Sequence, residues 1–272
     1  MSLGAACARV ARESPLVPFP GDGGGGYRVI GRGPALAVVL PGAVGSADAL
    51  AGLGDALEAS HRTCLVHYPT VPALDALLSS LDGMRARVGG GPVAVCGGSF
   101  GALVAQAWLA RAPAAIGSLV LSGAGPPEAA RADRNARLLP WMARLPIGAW
   151  RGLLRLAVRI STRRASERDY FRAFYGEAIA ALRWPDVESR YRVSIDVDRV
   201  GPALAGAVAG WPGRVLVLEG ARDPIARETH RAALRALFPH ATFHTFAEGG
   251  HGLALERPDE WIAVVAGFLR GR

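Results

Sequence analysis

VAVCGGSFGALVAQAW, residues 93–108, decides the fold of this 272-residue chain. Four apolar residues, Val93 to Cys96, run into Gly97-Gly98-Ser99-Phe100-Gly101, and a helical pattern of apolar residues follows at once. The pattern predicts a strand, a sharp turn with a serine at its tip, and a helix over 100–111 ended by Pro113. Glycines two before and two after the serine leave room for a strained backbone that pushes the hydroxyl out of the sheet. A serine hydroxyl is a poor nucleophile unless a base is held against it. The rest of the chain is therefore searched for a base, an acid to orient it, and donors for a developing oxyanion.

Outward from Ser99 the chain alternates short apolar runs with helical patterns, as a parallel sheet covered on both faces requires. Strands are predicted at 35–40 (ALAVVL), 63–68 (TCLVHY), 118–123 (SLVLSG), 214–220 (RVLVLEG) and 241–246 (ATFHTF). Helices are predicted near 48–59, over 71–88 with Leu74, Leu77, Leu78 and Leu81 on one face, and at 258–270. Residues 16–33 read as a hairpin around Gly23–Gly26. Some ninety residues separate the strands at 118–123 and 214–220. They hold helical patterns at 128–143, 147–160, 163–181 and 185–193, punctuated by Pro140, Pro146 and Pro185. The expected organisation is an α/β core from 1–124 and 200–272, with a helical lid inserted at 125–199 on the side where ligands of open α/β sheets sit.

The base is expected in the loop after the last strand. There AEGGHGLALERPDEW places His251 between glycines, just before the closing helix. His67 falls in a strand, His61 and His230 on helix surfaces or their edges, and His240 and His244 beside or in the last strand. The acid should follow the preceding strand, where Asp223 stands three residues beyond Gly220. An aspartate there fixes the imidazole tautomer and stabilises the imidazolium. The loop LSGAGPPE after strand 118–123 offers nothing acidic before Glu128. The two oxyanion donors are expected to be the backbone amides of Phe100, at a helix start, and of Ala43 in the loop LPGAVGSAD, with Val44 as the alternative.

With Ser99, Asp223 and His251 in this order, the glycine-flanked turn, the Pro-Gly loop and the helical insertion, the chain resembles the α/β-hydrolase superfamily from about residue 27 onward. That resemblance implies a mostly parallel, eight-stranded-type sheet flanked by helices, with an inserted helical cap, and a nucleophile–base–acid mechanism without cofactor or metal. One departure is visible: the oxyanion loop of the family usually begins His-Gly, whereas Pro41 precedes Gly42 here. The stretch LPGAVGSAD, Tyr68-Pro69 and SRYRVS are also similar to maspardin-like members, which lack the last-position histidine that His251 supplies here. A serine at the turn, rather than the aspartate of epoxide- and halide-processing members, implies an acyl-enzyme from an ester or thioester. Two other readings stay open: a cofactor-free cyclase, lyase or acyltransferase of secondary metabolism, and a non-catalytic interaction protein on the same scaffold.

The net charge of +8 is local. Residues 125–192 hold fourteen arginines against seven acids, the rest of the chain is near neutral, and there is no lysine anywhere. No nucleic-acid partner is implied. Arg151, Arg155 and Arg159 form a stripe opposite Leu153, Leu154 and Leu156, a face suited to an acidic carrier protein or to anionic lipid. Eight of nineteen aromatic residues lie in the same segment. Trp141, Trp150, Phe171, Phe174 and Tyr175 are therefore expected, with Val44, to line a deep apolar pocket for a medium-sized acyl group. The three cysteines are scattered, with no metal-ligand spacing, and read as reduced core residues. No charged start followed by an apolar core marks a secretory signal and no run spans a membrane, so a cytoplasmic protein is expected.

Overall fold

The computed structural model describes residues 2–20 and 23–271; Gly21 and Asp22, in the expected hairpin turn, lie outside the described residues. In chain order the elements are α1 (Leu3–Glu13), β1 (Val17–Pro18), β2 (Gly26–Ile30), β3 (Ala35–Leu40), α2 (Ala51–Leu57), β4 (His61–His67), α3 (Leu74–Val88), β5 (Val93–Gly98), α4 (Phe100–Arg111) and β6 (Ile116–Ser122). Four long helices follow: α5 (Ala129–Met142), α6 (Ile147–Ser161), α7 (Arg168–Ala181) and α8 (Trp184–Asp198). The chain closes through α9 (Gly201–Ala209), β7 (Arg214–Gly220), α10 (Glu228–Leu237), β8 (Thr242–Phe246), α11 (Leu253–Glu256) and α12 (Pro258–Leu269).

The eight strands form one sheet in the order β1-β2-β4-β3-β5-β6-β7-β8. β1 and β2 pair antiparallel, β2 joins β4 antiparallel, and every pairing from β4 to β8 is parallel. The uninterrupted apolar run of β3 is explained by burial on both faces. Leu36, Val38 and Leu40 join a core layer with α3, α4, α8, α9 and α10, while Ala37 and Val39 join the opposite layer with α1, α2 and α12. Strand order reverses around β3, between β4 on one side and β5 on the other. At such a switch point the loops leaving adjacent strands diverge and open a crevice. The loops after β3 and β5, which carry Ala43 and Ser99, both leave the sheet there.

Several expectations need correction. His61 opens β4 and is buried, because it caps the edge of an apolar strand and is not on a helix. The helix expected from 163 begins at Arg168, after a turn that buries Ala165. The last expected lid helix runs on to Asp198, and α9 had no counterpart in the reading. α1 was also missed, although Leu3, Ala6, Cys7 and Val10 recur at helical spacing and are all buried. The Glu167 side chain accepts the Leu3 and Gly4 amides at 2.9 and 3.0 Å, tying the start of α1 to the turn before α7. All three cysteines are buried; loss of hydration pushes the Cys96 thiol up to about 12, so it is an inert core group.

Candidate active site

Ser99 has φ 51, the sole positive φ at a non-glycine among the described residues. The turn is enforced by contact on both sides. A side chain at Gly97 would collide with the Gly101 backbone, and one at Gly101 would collide with the Leu40 carbonyl, so α4 lies directly on β5 and on the end of β3. The Ser99 amide donates to the Ser122 carbonyl at 2.9 Å, which leaves the hydroxyl beyond the sheet edge.

The Ser99 hydroxyl lies 3.0 Å from His251 Nε2, and His251 Nδ1 lies 2.9 Å from Asp223 Oδ2. The second Asp223 oxygen accepts the Ile225 and Ala226 amides at 2.7 and 3.0 Å. Burial by itself would raise the Asp223 carboxyl, but His251 and these two amides outweigh it and hold the carboxyl below its ordinary range. The Asp223 side chain is 1% exposed and that of His251 is 10%. This arrangement lets a proton pass from hydroxyl to imidazole, while the buried anion behind sets the ring's orientation and stays ionised.

Three glycines shape the surroundings of the pair, one of them directly against it. Gly123, at φ 59 just past β6, leaves its missing side chain 3.4 Å from His251 Nδ1 and 3.5 Å from Asp223 Oδ2. The sequence reading did not single it out; a glycine closing the strand beside β5 was its signal. Gly250 donates to the buried Glu256 carboxylate at 2.7 Å, which pins the loop before the histidine. Gly252 abuts the Ser161 carbonyl at the end of α6, so close that a side chain would collide with it.

Ala43, Ser99 and Phe100 share the wall of a cavity of about 700 Å³. Among the described residues neither the Ala43 nor the Phe100 amide has a protein acceptor. Two orphan amides flanking a serine hydroxyl are what an oxyanion requires. The loop after β3 is braced where the family's histidine is missing: Tyr68 donates its hydroxyl to the Pro41 carbonyl at 3.0 Å and meets Phe100 edge-on at 5.3 Å.

Trp150, Leu154, Leu182, Val187 and Tyr191 supply the apolar wall contributed by the insertion. The structure does not bring the other expected pocket residues there. Phe171, Phe174 and Tyr175 pack with Leu3, Ala49, Ala165 and Leu255, sealing α7 against α1 on the far side. Trp141 is 66% exposed, and Val44 is absent from the cavity lining. The wall is also less apolar than expected, since Arg131, Arg134, Arg190 and Arg227 contribute to it. Arg131 is spoken for by Asp198, which it grips with two nitrogens at 2.7 and 2.5 Å. Arg190 stacks on Tyr68 and donates to the Pro69 and Tyr68 carbonyls, but its Nε has no partner and no carboxylate lies within 4 Å among the described residues. Its burial lowers its affinity for the proton to about 10. Among the described residues no three His, Cys, Asp or Glu side chains gather as a metal would require.

The model of the alpha/beta hydrolase family matches residues 15–264. The chain belongs to that family. Among its family relatives is the esterase YbfF of Escherichia coli, 30% identical over 86 residues, a match spanning 31% of this chain and 34% of that protein. Thus the chain's match covers about a third of that curated relative. A thermophilic esterase from Thermogutta terrifontis shares the fold at TM-score 0.72 and 16% identity, covering 95% of this chain and 98% of the other. A meta-cleavage product hydrolase from Pseudomonas fluorescens aligns at TM-score 0.65 and 20% identity, covering 91% and 94%. At these identities the solved structures of alpha/beta hydrolases establish fold alone.

Proposed function

We propose that this alpha/beta hydrolase is a serine esterase or thioesterase acting through an acyl-enzyme at Ser99. The observation that carries the proposal is the continuous chain from Ser99 Oγ through His251 to Asp223, at 3.0 and 2.9 Å, opening onto a cavity beside two orphan amides. Ser99 Oγ attacks the acyl carbonyl carbon while its proton passes to His251 Nε2. The carbonyl oxygen becomes an oxyanion held by the Ala43 and Phe100 amides. His251 then returns the proton to the leaving alkoxide or thiolate, and the ester bond to Ser99 remains. Water enters, gives a proton to His251 and attacks the same carbon; collapse releases the acid and restores the Ser99 hydroxyl.

The cavity suits a medium-sized acyl group, apolar where it meets Trp150 and Leu154. The unpaired guanidinium of Arg190 favours a neutral or anionic far end over a cationic one. Treatment of the folded chain with a fluorophosphonate, followed by peptide mass spectrometry, tests the reading. Modification of Ser99 and its loss in His251→Ala are expected; an unmodified Ser99 in folded protein overturns the claim of an activated serine. Mass analysis of products then separates hydrolysis, which adds water, from a cyclase or lyase outcome.

A further inference from the structure

Nine large apolar side chains stand conspicuously exposed among the described residues, and six of them fall between 138 and 160. On α6, Leu153 and Leu156 are each 54% exposed and Ile160 43%; with Ala149 they recur at i, i+4, i+7 and i+11 and share one arc. Of the three leucines expected opposite the arginine stripe, only Leu154 is turned inward; Leu153 and Leu156 face outward. The inward side belongs to Trp150, Leu154 and Val158, and Arg151 is turned back to donate to the Leu182 carbonyl. Arg155 and Arg159 remain along the edge of the apolar arc. Near the end of α5, Trp141 is also exposed, with the Arg144 guanidinium 4.7 Å from its ring centre.

The charge of this surface has one sign. From 134 to 166 the sequence holds eight arginines and no aspartate, glutamate or lysine. Among the described residues neither Arg155 nor Arg159 has a carboxylate within 4 Å. Both line a cleft of about 310 Å³ between α6 and α7, together with Arg172. Arg172 has the exposed Asp169 at 3.7 Å, so two guanidinium groups in this cleft are without a carboxylate, beside an apolar arc that water covers poorly.

The geometry points to the outer face of α6 as a docking surface for an anionic lipid bilayer, with a lipid phosphate in the Arg155–Arg159–Arg172 cleft. A bilayer offers at one depth what this face needs: acyl chains for the leucines and anionic headgroups for arginines that reach back toward water. The 15 residues of α6 lay this arc along roughly 22 Å, suited to lying in the interface. No helix among the described residues is long and apolar enough to cross a membrane, so the contact is peripheral. An acidic protein partner would answer the arginines but leave the row of exposed large apolar side chains without a reason. The inference goes beyond the serine esterase reading and does not depend on it.

Flotation of the full chain with phosphatidylcholine vesicles, with and without phosphatidylglycerol, tests the inference. Binding to the anionic vesicles alone is expected, equally for wild type and Ser99→Ala, which separates docking from catalysis. Leu153→Ser with Leu156→Ser, and Arg155→Gln with Arg159→Gln, should each weaken vesicle binding roughly tenfold or more. Circular dichroism checks that both variants keep the fold. Absence of binding to anionic vesicles, or equal binding to neutral ones, overturns the proposal. Loss with the arginine pair but full binding with the leucine pair also overturns it, in favour of an acidic protein partner. If either variant misfolds, wild-type salt dependence decides: binding that collapses entirely between low and high salt leaves no apolar insertion and overturns the proposal, whereas partial retention supports it.

Discussion

Gly123 shows how much of a site can rest on a missing atom. It sits in the left-handed region, with the His251–Asp223 bond 3.4 to 3.5 Å from where a side chain would begin. Gly123→Ala is expected to lower kcat on a short-chain ester by at least about tenfold, through backbone strain and crowding of the His251 carbonyl, with little change in secondary structure. Steady-state kinetics beside circular dichroism would show it. Asp223→Asn is expected to cost roughly a thousandfold to ten-thousandfold in kcat, because the amide no longer selects the imidazole tautomer that accepts the Ser99 proton. The same carboxylate contributes to stability with a definite sign. Its folded value lies below the ordinary 3.8, so the contribution is full above that pH and is lost as pH falls through the folded value. The stability advantage of wild type over Asp223→Asn, measured by urea unfolding, should therefore shrink below about pH 3.8.

At the scale of elements, the strand, turn and helix from 93 to 111 were legible because each piece carries its own signal: a both-faces-buried apolar run, glycines where backbones touch, and Pro113 as a stop. Asp223 and His251 were legible for a related reason, since each follows a strand whose apolar run ends abruptly in polar loop residues. The helices between β6 and β7 were legible only in outline. Amphipathic spacing says that Phe171, Phe174 and Tyr175 bury a face, but a period of 3.6 residues does not say against what, and the partner proved to be α1. Two substitutions separate the roles. Phe171→Ala should destabilise the chain by about 3–5 kcal/mol while leaving KM unchanged, whereas Trp150→Ala should raise KM for acyl substrates several-fold. Thermal melts and steady-state kinetics on both variants would decide it. The link between α5 and α8 rests on one buried charge. Asp198→Ala leaves Arg131 with only the more exposed Glu128 carboxylate at 3.7 Å and should cost about 3 kcal/mol.

Across the whole molecule, burial is unevenly shared. α4 buries nine of its twelve residues, whereas α5 and α6 bury one each, Ala132 and Trp150. Amide exchange should accordingly run fastest in α5 and α6 and slowest in β5 and α4, through local opening of the insertion while the sheet stays closed. The sheet order itself was not readable from the sequence. Pairing of β3 with both β4 and β5 is a long-range choice, and strand identity along the chain does not encode who lies beside whom. Nor was the contact between Gly252 and the Ser161 carbonyl, which joins the end of α6 to the residue after His251. That contact sets a rule for chimaeras. A foreign cap spliced onto this core must end its second helix with the same backbone position, or residue 252 and the histidine beside it will be displaced. Transplanting substrate preference between members of this family therefore includes matching this seam, and a library that varies residues 159–163 together with 250 and 252, His251 being kept, is the place to solve it.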